Sequence, residues 1–125
     1  MTLDLPWPPT SNTAYATVNG RRVKSRAARD YANLATTTVA EYQRSHEQPP
    51  ETFTKTDRLL VRITAFPPDR RRRDLANIEK IATDAICAAL HVDDSQIDAL
   101  CIHRAEPTQP GRITYTITTI HRTPF

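Results

Sequence analysis

The chain has 125 residues, enough for one domain with its own core and too few for two. Its formal net charge is +3, and all 17 basic residues are Arg except Lys24, Lys55 and Lys80. No segment approaches the roughly 20 apolar residues that span a bilayer, and the N-terminus lacks the pattern of a signal peptide, so we expect an unexported protein without a membrane anchor.

The first half of the chain predicts a strand, a hairpin and a long helix. Residues Thr2 to Leu5 alternate polar and apolar side chains before the prolines of LPWPP, which indicates a short strand. Asn19-Gly20, within Tyr15 to Lys24, supplies the positive φ angles of a tight hairpin turn. A helix is expected from the N-cap Ser25 to Pro49-Pro50, with apolar spacing at Ala28, Tyr31, Ala35, Val39 and Tyr42.

The second half predicts a core strand from Arg58 to Phe66, a helix from Asp74 to Leu90, and strands from Gln96 to Arg104 and Arg112 to Ile120. The apolar stripe of this helix comprises Leu75, Ile78, Ala82, Ala85, Ile86, Ala89 and Leu90. The order β-ββ-α-β-α-β-β predicts one α+β domain over residues 1–125. Its two main helices would pack on a mixed or antiparallel sheet.

Two cysteines, Cys87 and Cys101, stand in apolar stretches without Cys or His neighbours at metal-ligand spacing. This pattern predicts two buried free thiols. Free thiols fit a reducing cytoplasm.

The chemistry-bearing residues lie in PPDRRRRDLANIEK, residues 67–80, and in HVDDSQ, residues 91–96. On a helix that begins near Asp74, one polar band runs along the side away from the apolar stripe and comprises Ala76, Asn77, Lys80 and Asp84. Asp93 and Asp94 follow the helix on a turn. We expect carboxylates from these two segments to converge on a hard cation such as Mg²⁺, which prefers oxygen ligands.

The ordered set of motifs resembles the RusA-type Holliday junction resolvases. The resemblance rests on Pro-Asp, an arginine run, Asp-Leu-x-Asn-x-x-Lys, an amphipathic helix and Asp-Asp-Ser-Gln, together with LPWPPTSN and Tyr15 near the N-terminus. It extends from about Leu5 to Ile97. Each motif alone is weak, and their common order makes the resemblance specific.

The resemblance implies a metal site made by Asp74, the residue at position 76 and Asp94, with Lys80 nearby. The ion would be Mg²⁺, with Mn²⁺ as an alternative, and Asn77 would orient the groups around it. Position 76 is normally a second aspartate in that family, whereas here it is Ala76, whose methyl group cannot bind a cation. The sequence leaves open whether this is an engineered substitution or a natural divergence.

The resemblance also implies contacts to DNA. We expect the arginine run to hold phosphates through Arg70, Arg71, Arg72 and Arg73. Further contacts are expected from Asn12, Tyr15 and Asn77, and from Lys24 near the start of the first helix.

Each of these residues also has an ordinary structural interpretation. Asp74 fits a helix N-cap, and Asp93 and Asp94 fit a turn. Lys80 fits a solvated lysine or an ion pair with Asp84 one helical turn away. The arginine run fits a solvated basic patch.

The function implied is a homodimeric, structure-selective endonuclease that nicks four-way (Holliday) DNA junctions symmetrically, in the cytoplasm of a bacterial or phage-infected cell. Ala76 would leave this chain inactive or impaired. It also supports an alternative function, a non-catalytic protein that binds branched DNA. A ribonuclease or another phosphodiesterase is a third, weaker alternative.

Overall fold

The computed structural model describes residues 1–10, 15–45 and 52–120, and the side chains of residues 15, 16 and 22 lie outside this description. In chain order the elements are β1 (Thr2–Pro6), β2 (Tyr15–Val18), β3 (Arg21–Lys24), α1 (Arg26–Ser45), β4 (Leu59–Phe66), α2 (Leu75–Leu90), a 3-10 turn (Asp94–Gln96), β5 (Ile97–Arg104) and β6 (Arg112–Thr119). The predicted order of elements and the α+β fold class are confirmed.

The main sheet is mixed and has four strands in the order β1-β6-β4-β5. β6 pairs antiparallel with β1 and with β4, whereas β4 and β5 are parallel. Two neighbouring parallel strands need a crossover connection, and α2 provides it. Helix α2 therefore runs back along the sheet, from the end where β4 finishes to the end where β5 begins.

The core lies between one face of this sheet and the two helices. β4 alternates buried and more exposed residues, and Leu59, Val61, Ile63 and Ala65 point into the core, as an antiparallel or mixed sheet covered on one face requires. The predicted stripes of both helices are buried or partly buried there. The β2–β3 hairpin forms a separate two-stranded sheet.

Local signals mark the start of α1, the hairpin turn and the end of α2, whereas the predicted end of α1 at Pro49-Pro50 lies outside the described residues. The Ala28 backbone N–H donates to Ser25 Oγ at 3.2 Å, which caps α1 as expected. Asn19 and Gly20 have φ angles of 52° and 76°, as the predicted hairpin turn requires. His91 ends α2 in the left-handed conformation.

The prediction of two buried thiols is wrong for Cys101. Cys87 is a buried residue of α2, but Cys101 is exposed because β5 is the outer strand of the sheet and most of its residues face solvent. Both cysteines are free. Among the described residues, no helix has both the length and the apolar character needed to cross a membrane.

The buried hydrogen bond between Thr83 and Tyr115 joins α2 to the centre of the sheet, with 3.0 Å between the two hydroxyl oxygens. Burial raises the pKa of Tyr115, so the hydroxyl stays neutral. We expect Tyr115→Phe to lower the free energy of unfolding by about 1 kcal/mol, since the Thr83 hydroxyl loses its partner.

Urea unfolding of both single variants and of Thr83→Val with Tyr115→Phe checks this expectation. The double variant should lose less than the sum of the singles, because neither hydroxyl is then left without a partner. Additive losses would contradict a direct interaction.

Candidate active site and arginine cleft

Asp74 lies at the N-terminus of α2 as its N-cap. Its Oδ1 accepts a hydrogen bond from the Ala76 backbone N–H at 3.0 Å, and its own backbone is extended. The capping interpretation of Asp74 is thus confirmed. Ala76 lies in the exposed first turn beside this carboxylate and contributes only a methyl group.

Asp93 and Asp94 lie just beyond the other end of α2. Asp93 Oδ1 accepts from the Ser95 backbone N–H at 2.8 Å, and this contact holds the pKa of Asp93 below its usual value. Gln96 Oε1 accepts from the Asp93 backbone N–H at 2.9 Å, while Gln96 Nε2 donates to the backbone oxygens of Thr54 and Asp57 at 2.9 and 3.0 Å. Gln96 therefore anchors the turn that carries Asp94.

Asp94 lines a shallow cleft of about 300 Å³ between α2 and β5. We call it the acidic cleft, and its lining comprises Glu79, Lys80, Thr83, Asp84, Asp94, Ile97 and Leu100. The expected pair between Lys80 and Asp84 is present, with 3.9 Å between Nζ and Oδ2. Lys80 and Asp94 thus line one cleft, and their roles at a metal site stay predictions.

The buried thiol of Cys87 lies near several carboxylates of this region. Burial raises its pKa to about 12, and the carboxylates of Asp94, Asp84, Asp93 and Glu79 add to the increase. A surface with this excess of carboxylates attracts cations.

Asp74 does not join the acidic cleft within one chain. It begins α2, whereas Asp94 follows its end, and a helix of 16 residues is about 24 Å long at 1.5 Å per residue. No group of three or more Asp, Glu, His or Cys side chains among the described residues is arranged to hold a metal ion. Within one chain, Asp74 and Asp94 therefore lie at opposite ends of α2.

The arginine run lines a larger cleft of about 640 Å³, at the end of the sheet where α2 begins. We call it the arginine cleft. Its charged lining comprises Asp69, Arg70, Arg71, Arg72, Arg73, Arg104 and Glu106. The cleft has five guanidinium groups and two carboxylates, so its net charge is positive and suits phosphate groups.

Arg73 is the most firmly held member of the run. Its Nη1 donates to Asp69 Oδ1 at 2.7 Å, its guanidinium carbon lies 5.6 Å from the centre of the Trp7 ring, and only 20% of its side chain is exposed. Arg70 pairs with Glu106 at 3.1 Å on the opposite wall. Arg72 is exposed and makes no hydrogen bond or ion pair with another described residue, which leaves its guanidinium available to a ligand.

Arg104 is a member of the arginine cleft that sequence reasoning missed. It ends β5, 31 residues after Arg73, and its Nη2 donates to the Arg73 backbone oxygen at 2.7 Å. The only available signal was a basic residue at the end of a predicted strand. That signal is common, and only the pairing of β5 with β4 places Arg104 beside the arginine run.

Four further residues were predicted to contact DNA. Asn77 is exposed on the first turns of α2, and Lys24 is exposed at the end of β3 beside Asp84. The backbone of Tyr15 begins β2, but its side chain lies outside the described residues, as does the whole of Asn12. Their roles at DNA stay predictions.

Comparison with known proteins identifies close similarity over most of the chain. The family model described as endodeoxyribonuclease RusA matches residues 6–118. The crossover junction endodeoxyribonuclease RusA of Shigella sonnei is 33% identical over 119 residues, covering 93% of this chain and 92% of the relative. Proteins of the same name from Escherichia coli K12 and Enterobacteria phage 82 are each 32% identical with the same coverage.

Asp69 gives the arginine cleft a measurable pH dependence. The hydrogen bond from Arg73 and that from the Arg71 backbone N–H lower the pKa of Asp69 from 3.8 to about 2. Because folding lowers this pKa, the contact stabilises the folded chain above pH 3.8, and the contribution is lost as the pH falls through about 2.

We expect carbon-detected NMR of the Asp69 carboxyl group to show a midpoint near 2, and Arg73→Gln to return that midpoint towards its usual value. Arg70→Gln is the matched control, because Arg70 pairs with Glu106 and not with Asp69. It should leave the midpoint of Asp69 unchanged. A midpoint near 3.8 in the unmodified chain would contradict the contact.

Proposed function

The chain belongs to the RusA family of endodeoxyribonucleases, and on that basis we propose that it acts on four-way (Holliday) DNA junctions as a homodimer. The observation that carries the proposal is that Lys80 and Asp94 line one acidic cleft, while the arginine run lines another cleft of the same chain. The chain thus offers a surface suited to phosphate groups and a set of groups suited to phosphodiester hydrolysis.

The arginine cleft would hold the phosphates that flank the cut. Arg73 is fixed by Asp69 and Trp7, so its guanidinium loses little conformational freedom when a phosphate binds. Arg72 and Arg104 add two further donors at the same wall. Contacts to phosphates carry no base information, which suits recognition of a branched shape rather than a sequence.

Lys80 would stabilise negative charge on the phosphate under attack. Its ammonium lies 3.9 Å from Asp84 Oδ2 at the acidic cleft, and 64% of its side chain is exposed. A preorganised cation at the position where charge develops lowers the activation free energy, since it needs no rearrangement during the reaction.

A divalent cation, Mg²⁺ with Mn²⁺ as the alternative, would supply Lewis acidity and an activated water at this site. Its ligands would be Asp94 of one protomer and Asp74 of the partner subunit, because α2 separates these carboxylates within one chain. A two-fold dimer then carries two equivalent sites, which suits symmetric nicks on two strands of a junction.

Ala76 supports a second function, the binding of branched DNA without cleavage. Asp74 Oδ1 already accepts from the Ala76 backbone N–H, and position 76 offers no oxygen to a cation. The ligand set is therefore one carboxylate short, while the arginine cleft is intact.

Restoring a carboxylate separates the two functions. We expect Ala76→Asp to increase Mg²⁺-dependent nicking of a labelled four-way junction by at least about 10- to 100-fold, the range lost when groups that support a metal site are removed. Ala76→Asn, of nearly equal size but uncharged, is the matched control and should gain far less. Unchanged junction binding with no cutting by Ala76→Asp would favour the binding protein.

The salt dependence of junction binding tests the arginine cleft. Each phosphate contact contributes about 0.9 to the slope of log affinity against log salt concentration. We expect Arg72→Ala and Arg104→Ala each to lower that slope by about this amount and to weaken binding to different junction sequences equally.

Arg44→Ala is the control for net charge, since Arg44 lies exposed in the last turn of α1, outside the arginine cleft. Equal changes of slope in all three variants would contradict a localised phosphate site.

A further inference from the structure

Gly111 is a buried residue that packs against Pro68, just before the arginine run. A Cβ atom on Gly111 would lie 2.7 Å from Pro68 Cδ and 2.8 Å from Pro68 N, closer than ordinary van der Waals contact. The φ angle of Gly111 is not positive, so its backbone conformation is open to other residues. Glycine is therefore required here by the space beside Pro68 and not by the backbone.

The loop between β5 and β6, residues 105–111, holds the backbone on which the arginine run begins. The Thr108 backbone N–H donates to the Pro67 oxygen at 2.9 Å. Gln109 Nε2 donates to the Pro68 oxygen. Together with the close packing of the glycine, these contacts fix both prolines that precede the run.

Gly111 also lies behind both groups that hold Arg73. Its backbone oxygen accepts from the Trp7 backbone N–H at 3.3 Å, and the Trp7 ring lies 5.6 Å from the Arg73 guanidinium carbon. On the other side, Pro68 is followed directly by Asp69, whose Oδ1 accepts from Arg73 Nη1 at 2.7 Å. One small residue thus contacts the segment of the ring and the segment of the carboxylate.

We propose that Gly111 is a positioning residue for Arg73, and that its packing on Pro68 and its hydrogen bond to Trp7 keep the guanidinium oriented for a phosphate. This inference rests on the role proposed for the arginine cleft at junction DNA. A group that is held in place before binding loses little conformational freedom, and a small displacement weakens its contact with the ligand.

Gly111→Ala tests the inference by adding one methyl group against Pro68. We expect the displaced proline to move Asp69 away from Arg73, so the NMR midpoint of the Asp69 carboxyl group should rise from about 2 towards 3.8. In titrations of a labelled four-way junction, the slope of log affinity against log salt concentration should fall by about 0.9, the contribution of one phosphate contact.

Gly20→Ala is the matched control. It adds the same methyl group in the β2–β3 hairpin, where no atom lies within 4 Å, but its φ angle of 76° strains the backbone. It should therefore lower thermal stability and leave the Asp69 midpoint and the salt slope unchanged. A merely structural role for Gly111 would give the same result in Gly111→Ala.

Two further variants act on the same contact. Adding Pro68→Ala to Gly111→Ala removes Cδ, the atom nearest to the new methyl group, and should restore part of both readouts. Gln109→Met keeps the length of an exposed side chain but removes the donor to the Pro68 oxygen. It should shift both readouts in the same direction by less, and it replaces Gly111→Ala if that variant does not fold.

The outcomes separate this inference from the proposed function. An unchanged Asp69 midpoint in folded Gly111→Ala, or in Gln109→Met where it serves instead, overturns the positioning role and leaves junction binding intact. A raised midpoint with an unchanged salt slope overturns it as well, because Arg73 is then not the phosphate contact that is being positioned. A raised midpoint in a chain whose unmodified form binds no four-way junction supports the positioning of Arg73 and contradicts the proposed function.

Discussion

The parallel pairing of β4 with β5 is the constraint on which the site depends. Two adjacent parallel strands cannot be joined by a tight turn, so the connection has to return the full length of the sheet, and α2 does so. Its first residues therefore lie at one end of the sheet and the residues after it at the other. Asp74 and Asp94 are separated by this geometry, although the sequence between them is short.

The same constraint assembles the arginine cleft. β4 and β5 finish at a common end, where the segment after β4 carries the arginine run and β5 contributes Arg104. Asp69 and Glu106 lie among these arginines and offset part of their repulsion, while Trp7 supports the guanidinium of Arg73. The exposed ion pairs contribute little to stability.

The acidic cleft and the arginine cleft carry opposite charges. Phosphates are attracted to the arginine cleft and cations to the acidic cleft. Gln96 donates hydrogen bonds to the backbone oxygens of Thr54 and Asp57. Arg58 donates to the Ser95 backbone oxygen and to the Asp98 carboxylate. These contacts hold the start of β5 and keep Asp94 on a fixed turn. Strand β5 contributes to both clefts, with Ile97 and Leu100 in the acidic cleft and Arg104 in the arginine cleft.

Local patterns in the sequence determined the elements and much of the candidate site. Ser25, Asn19-Gly20 and the apolar stripe of α2 act through contacts within a few residues, so the helix start, the hairpin and the buried helix face were predictable. The motifs around Asp74, Lys80 and Asp94 led to the family because they can be recognised from their order along the chain. Tertiary structure alone decided that β5 is an edge strand, that Cys101 is exposed and that Arg104 joins the arginine run. Strand order depends on pairing between distant segments, and a period-two pattern specifies the face of a strand but not its neighbours.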